Sequence, residues 1–548
     1  MNPQPPVTRM RIAARTSSAE HGALADFPIL RDHVEAWKRR LAETGWTPWL
    51  VLGLAIFLRF FLLGIKPPHF DEGINGWFVD QVMKNGFYKY DPTNYHGPLH
   101  FYVVLISEAL FGRNVWALRL PVVLISIGCV WLCFKFEPLV GRTVSRMAAL
   151  AMAVSPGFVF YGRYSIHEVW LVLFSMTFIL GLLGLWRFGT PNYLWCAGMG
   201  VVGMILTKET YIIHLGCAAL AIPVVMVSNA LSHSPDAKPA KQVWDYVDLA
   251  MVLGTGIALI VFFYSGTFFH WGGVKGIYQA YAPWFSTGEQ GHGHEKPWYY
   301  WLELMAPSLK LGRADVLGYE LPVLAGVVLC LFCQRFKTLN LRYLAIYGAG
   351  TLVAYSIVPY KTPWCIISFI WPFLFIFGGA ALLMPLRYRT ATYTASAVLL
   401  SVSLGSAIWL NYFRCTTDTE PYVYVQTYND IFKLTKPLLQ LAHRDPRYYQ
   451  LTGHMIRTSA YPLPWILGDF PHIGYYEHEN LPQKVDADFL LVQEDRIKEV
   501  ESKLHDTYYT EPLRIRAYQD TSKLFLSAKV FKEFFPGRAP DFVGKSSG

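Results

Sequence analysis

Apolar residues dominate the chain near 48–65, 115–135, 145–160, 166–186, 193–206, 211–229, 247–265, 319–334, 343–358, 364–384 and 391–410. Most of these runs approach the roughly 20 residues that a spanning helix needs, and the shortest fit if tilted or partly interfacial. The pattern predicts an α-helical polytopic membrane protein of about eleven transmembrane helices over residues 47–410. The run "PLHFYVVLISEALFG" (98–112) is short and broken by Ser107 and Glu108, so it reads as a helix lying along the interface. From residue 411 the runs shorten to strand length, as in "DFLLVQ" (488–493) and "KLFLSAKVF" (523–531), with a helical pattern at 494–505. Residues 411–548 therefore read as a small α/β domain. No internal repeat at a fixed period stands out.

Basic residues orient this array. With a cytoplasmic N-terminus, the inner loops carry Lys135, Arg142 and Arg146, then Arg187, then Lys238 and Lys241, then Arg335, Lys337 and Arg342, then Arg387 and Arg389. Making 98–112 a span would invert every later loop. Residues 1–46 lack an apolar core followed by a small-residue cleavage site, and read as a cytoplasmic tail ahead of an uncleaved first span. A first outer loop (66–114), a second large outer loop (266–318), turns near 162, 208 and 360, and the α/β domain then face the extracytoplasmic side of a plasma (inner) membrane.

Composition supports the bilayer: 53% of the 548 residues are hydrophobic and only 16% charged, too apolar for one soluble globule. The region from 411 holds 17 basic and 18 acidic residues, so the net charge of +9 belongs to the membrane part and gives no support to nucleic-acid binding. Seven of the eight cysteines fall in expected spans, leaving Cys415 without an outward partner and no disulfide framework to expect.

Candidate chemistry concentrates in the outer segments. The first loop holds Asp71 and Glu72, with His96 and His100 further on. Adjacent carboxylates there suit general-base work, one facing an acceptor hydroxyl and the other fixing geometry or a cation; Asp71 serves equally well as the cap of a helix starting near 73. Arg163, Lys208 and Lys361 stand at the outer ends of spans, where a phosphate would need donors and where basic side chains also snorkel to water. His292 and His294, beside Glu289 and Glu295, are weak metal candidates in a Gly-rich loop that reads more readily as a cover for the site. Cys129/Cys133 and Cys330/Cys333 read as packing residues. Aromatics such as Trp271, Trp284, Trp298 and Trp301 suit either an interfacial belt or stacking on sugars.

Taken in order, "HFDEG" (69–73), "YHGPLHFY" (95–102), "ALRLPVVLIS" (117–126), "SPGFVFYGRYSIHE" (155–168), "LTKETY" (206–211) and "YKTPW" (360–364) resemble the GT-C superfamily of membrane glycosyltransferases, the protein O-mannosyltransferase and lipid A aminoarabinose transferase group. "SAYPLPWILGDFPHIGYY" (459–476) further resembles a bacterial and archaeal branch described as flippase activity-associated. The resemblance implies the GT-C fold and inverting transfer of a hexose or pentose from a polyprenyl-phosphate donor to a lipid, glycan or protein acceptor. It implies Asp71 as catalytic base with Glu72 beside it, and Arg163, Tyr164, Lys208, Lys361, His96 and His100 around the carrier phosphate. Gly97 replaces a proline of the family's pattern and leaves the role of His96 open. No cofactor is required by this chemistry, although a divalent cation at Asp71/Glu72 is compatible with it. A lipid-linked-sugar flippase and a non-catalytic partner in glycan assembly stay open as alternatives. Tyr461, Trp465 and Asp469 either face the acceptor or pack the C-terminal domain onto the membrane part.

Overall fold

The computed structural model describes residues 45–231, 239–290, 293–305, 319–477 and 480–544. Most of the N-terminal tail, Lys238, His292 and the 306–318 part of the second large loop lie outside the described residues.

The membrane part is helical: α1 (Thr47–Phe60), α2 (Phe70–Asn85), α3 (Leu99–Phe111), α4 (Val115–Lys135), α5 (Arg142–Val154), α6 (Pro156–Tyr161), α7 (Glu168–Phe188), α8 (Pro191–Ile205), α9 (Tyr211–Leu231), α10 (Tyr246–Tyr264), α11 (Tyr281–Gln290), α12 (Leu321–Cys330), α13 (Leu339–Ile357), α14 (Ile366–Gly378) and α15 (Arg389–Ile408). Among the described residues five segments are long and apolar enough to cross a bilayer: Val115–Val140, Glu168–Phe188, Tyr211–Ala230, Tyr246–Tyr264 and Leu386–Phe413. Several expected spans are shorter than their apolar runs. The run at 145–160 breaks at Ser155, which leaves helical geometry at ψ 124° and accepts the Phe158 N–H, with Pro156 opening the next helix. The run at 319–334 is α-helical only over the ten residues of α12, and a 3-10 turn begins at Cys333. Helix α3, at 13 residues, reaches about 20 Å at 1.5 Å per residue, well short of a hydrocarbon core.

Small residues set the tightest helix contacts. A Cβ at Gly181 would collide with the Ala197 backbone, and one at Gly200 with the backbone of Phe178, so α7 and α8 lie closer than larger residues would allow. Leu253 and Ile257 of α10 point outward, as lipid-facing positions do.

The C-terminal part is an α/β domain. Strands β1 (Gly453–Ile456), β2 (Ile473–Tyr476), β3 (Phe489–Gln493), β4 (Thr507–Leu513), β5 (Ser522–Ser527) and β6 (Phe542–Val543) form one sheet in the order β2-β1-β3-β5-β4-β6. Strand β1 runs parallel to β2 and β3, and the remaining pairs are antiparallel. Both faces are covered. Phe489 and Leu491 pack with Leu434 and Leu438 of α16 (Phe432–Arg444). Leu490 and Val492 pack on the other side with Val500 of α17 (Ile497–Lys503). That double burial explains why "FLLVQ" reads as an unbroken apolar run instead of an alternating one. None of the eight cysteines forms a disulfide.

Candidate functional site

Helix α2 begins with a reciprocal cap. The His69 ring Nδ1 accepts the Asp71 N–H at 3.1 Å, and the His69 N–H donates to Glu72 Oε2 at 2.8 Å. With Nδ1 accepting, the ring proton sits on Nε2 and donates to the Tyr424 carbonyl at 2.9 Å. This holds the first turn against residues far along the chain. At the other end, Gly86 adopts φ 80° and closes the helix with its N–H on the Val82 carbonyl.

The two carboxylates separate sharply in environment. Glu72 is completely buried: Oε1 accepts from Arg119 Nε (2.8 Å) and the Ser165 N–H (2.9 Å), and Oε2 from Arg119 Nη2 (2.7 Å) and the His69 N–H. Burial alone would raise its pKa, but the Arg119 guanidinium holds Glu72 down at about 2. Its acceptor sites are taken, so the expectation that Glu72 shares the chemistry gives way to an anchoring part, for which the neighbouring "ALRLPVV" arginine supplies the partner. Arg119 also donates to the carbonyls of Leu63, Lys66 and Pro67, tying the turn before α2 to α4. Asp71 keeps 31% of its side chain exposed; the neutral His69 ring lies beside it, with Nδ1 3.7 Å from Oδ2.

Asp71 opens onto a cavity of about 620 Å³. Its polar wall includes His96, Lys208, Glu209 and Thr210, and its apolar wall includes Trp284, Trp301, Tyr355, Tyr360 and Trp364. The segments "YHGP" and "LTKE" reach it as a pair. The Gly97 N–H donates to the Thr207 carbonyl (3.1 Å) and the Leu99 N–H to the Leu206 carbonyl (3.0 Å). A Cβ at Gly97 would collide with the Leu206 carbonyl group, so this close pairing needs glycine here. His96 Nδ1 then lies 2.9 Å from Glu209 Oε2. Lys208 Nζ lies 2.7 Å from Glu168 Oε1 and 3.7 Å from Glu209 Oε1. Burial works against both charges, yet the carboxylates hold Lys208 well above its ordinary pKa, while Lys208 and His96 hold Glu209 down at about 2.

The other expected site residues lie away from the cavity wall. Arg163 is buried and donates to the carbonyls of Leu58 (3.1 Å), Phe61 (2.8 Å) and Leu62 (2.7 Å), satisfying the C-terminal end of α1. It does not snorkel, since its donors meet backbone carbonyls inside the protein. Tyr164 donates to Gln426 Oε1 at 2.5 Å. His100 accepts from Trp170 Nε1 at 3.0 Å and lies 3.2 Å from Ser165 Oγ, in full burial. Lys361 is buried and donates to the carbonyls of Lys296 (3.1 Å) and Val358; burial lowers its pKa. His294 bonds Tyr424 through Nδ1 at 2.5 Å. Among the described residues, no three of His, Cys, Asp and Glu group closely enough to hold a metal ion. Glu168, Glu209, Arg119 and Trp364 lie within the segments quoted from the sequence but carry no signal of their own there, and Tyr424 lies outside them.

The C-terminal domain seats directly on α2. A Cβ at Gly73 would meet Pro462, and one at Gly76 would meet the Trp465 ring. Trp465 is buried, so this segment packs the domain onto the helix that carries Asp71. Arg113 fastens the seat: Nε and Nη2 donate to Asp80 at 2.9 and 2.8 Å, Nη2 also donates to the Trp465 carbonyl, and Nη1 lies 3.5 Å from Asp469. Beside it, Glu108 of α3 is buried near Arg113 and Trp465, and burial raises its pKa to about 8.

Residues 95–261 match the family model of dolichyl-phosphate-mannose-protein mannosyltransferase. No curated protein matches the chain. Among solved structures it is similar to ArnT from Cupriavidus metallidurans bound to undecaprenyl phosphate, with a TM-score of 0.57 and 14% identity over 89% of this chain and 99% of that one. The apo state of the same protein gives a TM-score of 0.57 and 12% identity over 90% of this chain and 99% of that one. At these identities the likeness is one of fold.

Proposed function

We propose, for a chain that carries the fold of the GT-C membrane glycosyltransferases, that it transfers a hexose or pentose from a polyprenyl-phosphate carrier to a hydroxyl-bearing acceptor at the extracytoplasmic face of the plasma membrane, with inversion and with Asp71 as base. The observation that supports this most directly is the contrast between neighbouring carboxylates. Glu72 is locked in a buried ion pair, while Asp71 is held by its backbone, lines the cavity and keeps 31% of its side chain exposed. A base fixed by its main chain and free at its carboxylate can take a proton without rearranging the fold.

In the reaction, Asp71 accepts the proton of the acceptor hydroxyl as its oxygen attacks the anomeric carbon. The bond from that carbon to the phosphate oxygen breaks on the opposite side, and polyprenyl phosphate leaves with the electron pair. Lys208 is the cation of the cavity wall, and its ammonium would turn from Glu168 and Glu209 toward the departing phosphate. Glu209 would keep His96 as its partner. The aromatic wall suits sugar faces and the first isoprene units. The test is transfer of radiolabelled sugar from lipid carrier in membranes containing the wild-type or Asp71→Asn chain: loss of transfer at unchanged protein level supports the reading, and full activity of the variant overturns it.

A further inference from the structure

Two buried arginines of the C-terminal domain form no ion pair among the described residues. Arg457 follows β1 and is 3% exposed; Arg516 lies between β4 and β5 and is 7% exposed. Arg457 donates to Ser522 Oγ (2.7 Å) and Gln519 Oε1 (2.9 Å), and Arg516 to the Tyr461 carbonyl (3.1 Å) and Ser459 Oγ (3.1 Å). All of these acceptors are neutral. Among the described residues neither guanidinium has an acidic partner within ion-pair distance. Burial lowers both to about 10; the field of Asp520 opposes this at Arg457, and at Arg516 the field of Arg457 adds to it while that of Asp71 opposes it.

Such a pair is costly, because buried guanidinium groups ordinarily find carboxylates. Its location gives the cost a purpose. The Arg516 guanidinium lies 4.0 Å over the Phe70 ring, the residue before Asp71. The surrounding loops are partly open: Thr458, Tyr518 and Asp520 are exposed. Ser459 and Tyr518 hold φ of 52° and 59°, a left-handed conformation unfavourable for side chains of their kind. Strained loops thus hold two arginines that lack a hydrogen-bonded carboxylate among the described residues, with Arg516 set against the residue before the proposed base.

We propose that Arg457 and Arg516 form an anion-recognition site, through which the C-terminal domain binds a phosphate or carboxylate group of the acceptor and so presents the acceptor's hydroxyl to Asp71. Paired guanidinium forks match the oxygens of a phosphate best. The role in presenting the acceptor rests on the transferase reading above, whereas the anion site itself does not.

The experiment follows thermal unfolding of the purified full-length chain in uncharged detergent, with inorganic phosphate titrated against chloride at equal ionic strength and with acetate as a parallel arm. A ligand held only by the folded state raises the unfolding midpoint. Phosphate is expected to raise it by several degrees in the wild type and in Lys208→Met, which removes the cavity cation, and to have no effect in the Arg457→Gln/Arg516→Gln chain. Protection by acetate equal to that by phosphate would assign the site to carboxylates. Undiminished protection in the double variant, or none in Lys208→Met, overturns the proposal. If either variant does not fold, Arg516→Lys decides, with half-saturating phosphate rising severalfold if the site exists and unchanged if it does not. Retained sugar transfer by Asp71→Asn would end the transferase reading while leaving these titrations as they are.

Discussion

Glu72 and Arg119 meet as a two-pronged pair, 2.8 Å from Nε to Oε1 and 2.7 Å from Nη2 to Oε2, with both side chains wholly shielded from solvent. Replacing Glu72 by glutamine leaves Arg119 buried against a neutral group, at an expected cost of roughly 3–5 kcal/mol. Thermal unfolding in detergent measures it, and an unchanged midpoint would refute the anchoring part. The pair also has a pH signature. Glu72 is held at about 2 against an ordinary 4.5, so its contribution is complete above pH 4.5 and is lost as pH falls toward 2. In Glu72→Gln that part of the acid profile should flatten.

Asp71→Asn separates chemistry from folding. The carboxylate has the neutral His69 ring beside it, at 3.7 Å, and is part exposed, so the substitution should leave stability within about 0.5 kcal/mol of wild type. Sugar transfer should fall about 10²- to 10⁴-fold, the usual worth of a positioned base. A parallel fall in stability and activity would mean that the residue is structural after all.

Domain seating can be loosened from one side. Gly76→Ala places a methyl against the Trp465 ring and should expose the 411–430 connection to limited proteolysis while the membrane helices stay protected. Trp465→Leu in the same chain should recover part of the protection by making room. Equal cleavage of all three chains would show that the contact contributes little.

Alkaline pH should strain the same seat. Glu108 rises from an ordinary 4.5 to about 8 because burial disfavours its charge. The folded state therefore holds its proton more tightly than the unfolded chain, and stability declines as pH rises from 4.5 through 8. The charged groups facing it are Arg113, which partly offsets burial, and Asp80 and Asp469, which add to it. Glu108→Gln should match wild type near pH 4.5 and exceed its unfolding midpoint at pH 8; a constant difference across that range would contradict the assignment.

The sequence was most informative where side chains repeat. Apolar runs marked the long helices, and the strand at 489–493 lay inside the segment read as strand, whereas the segment 523–531 is strand only to Ser527 and turns helical at Ala528–Phe531. Breaks inside those runs, such as Ser155–Pro156, were hidden because a cap and a proline look apolar enough in sequence. Asp71 could be picked out because it has an acidic neighbour in a loop rich in histidine. Its distinction from Glu72 could not, since that depends on Arg119, 47 residues on. Arg163 was placed among the phosphate donors by its position at a helix end, but the unsatisfied carbonyls there belong to another helix and consume its donors. Arg457 and Arg516 carried no signal at all, because an arginine lacking a counter-ion is recognisable only once its surroundings are folded.

The notch at Gly73 and Gly76 also bears on how such a chain can diverge. Because Pro462 and Trp465 fill the space those glycines leave, the C-terminal domain is keyed to the helix carrying the proposed base. A chimera that takes this domain from a relative should assemble only if α2 is transplanted with it, so the unit of inheritance for acceptor choice would be a helix and a domain nearly 400 residues apart in the chain.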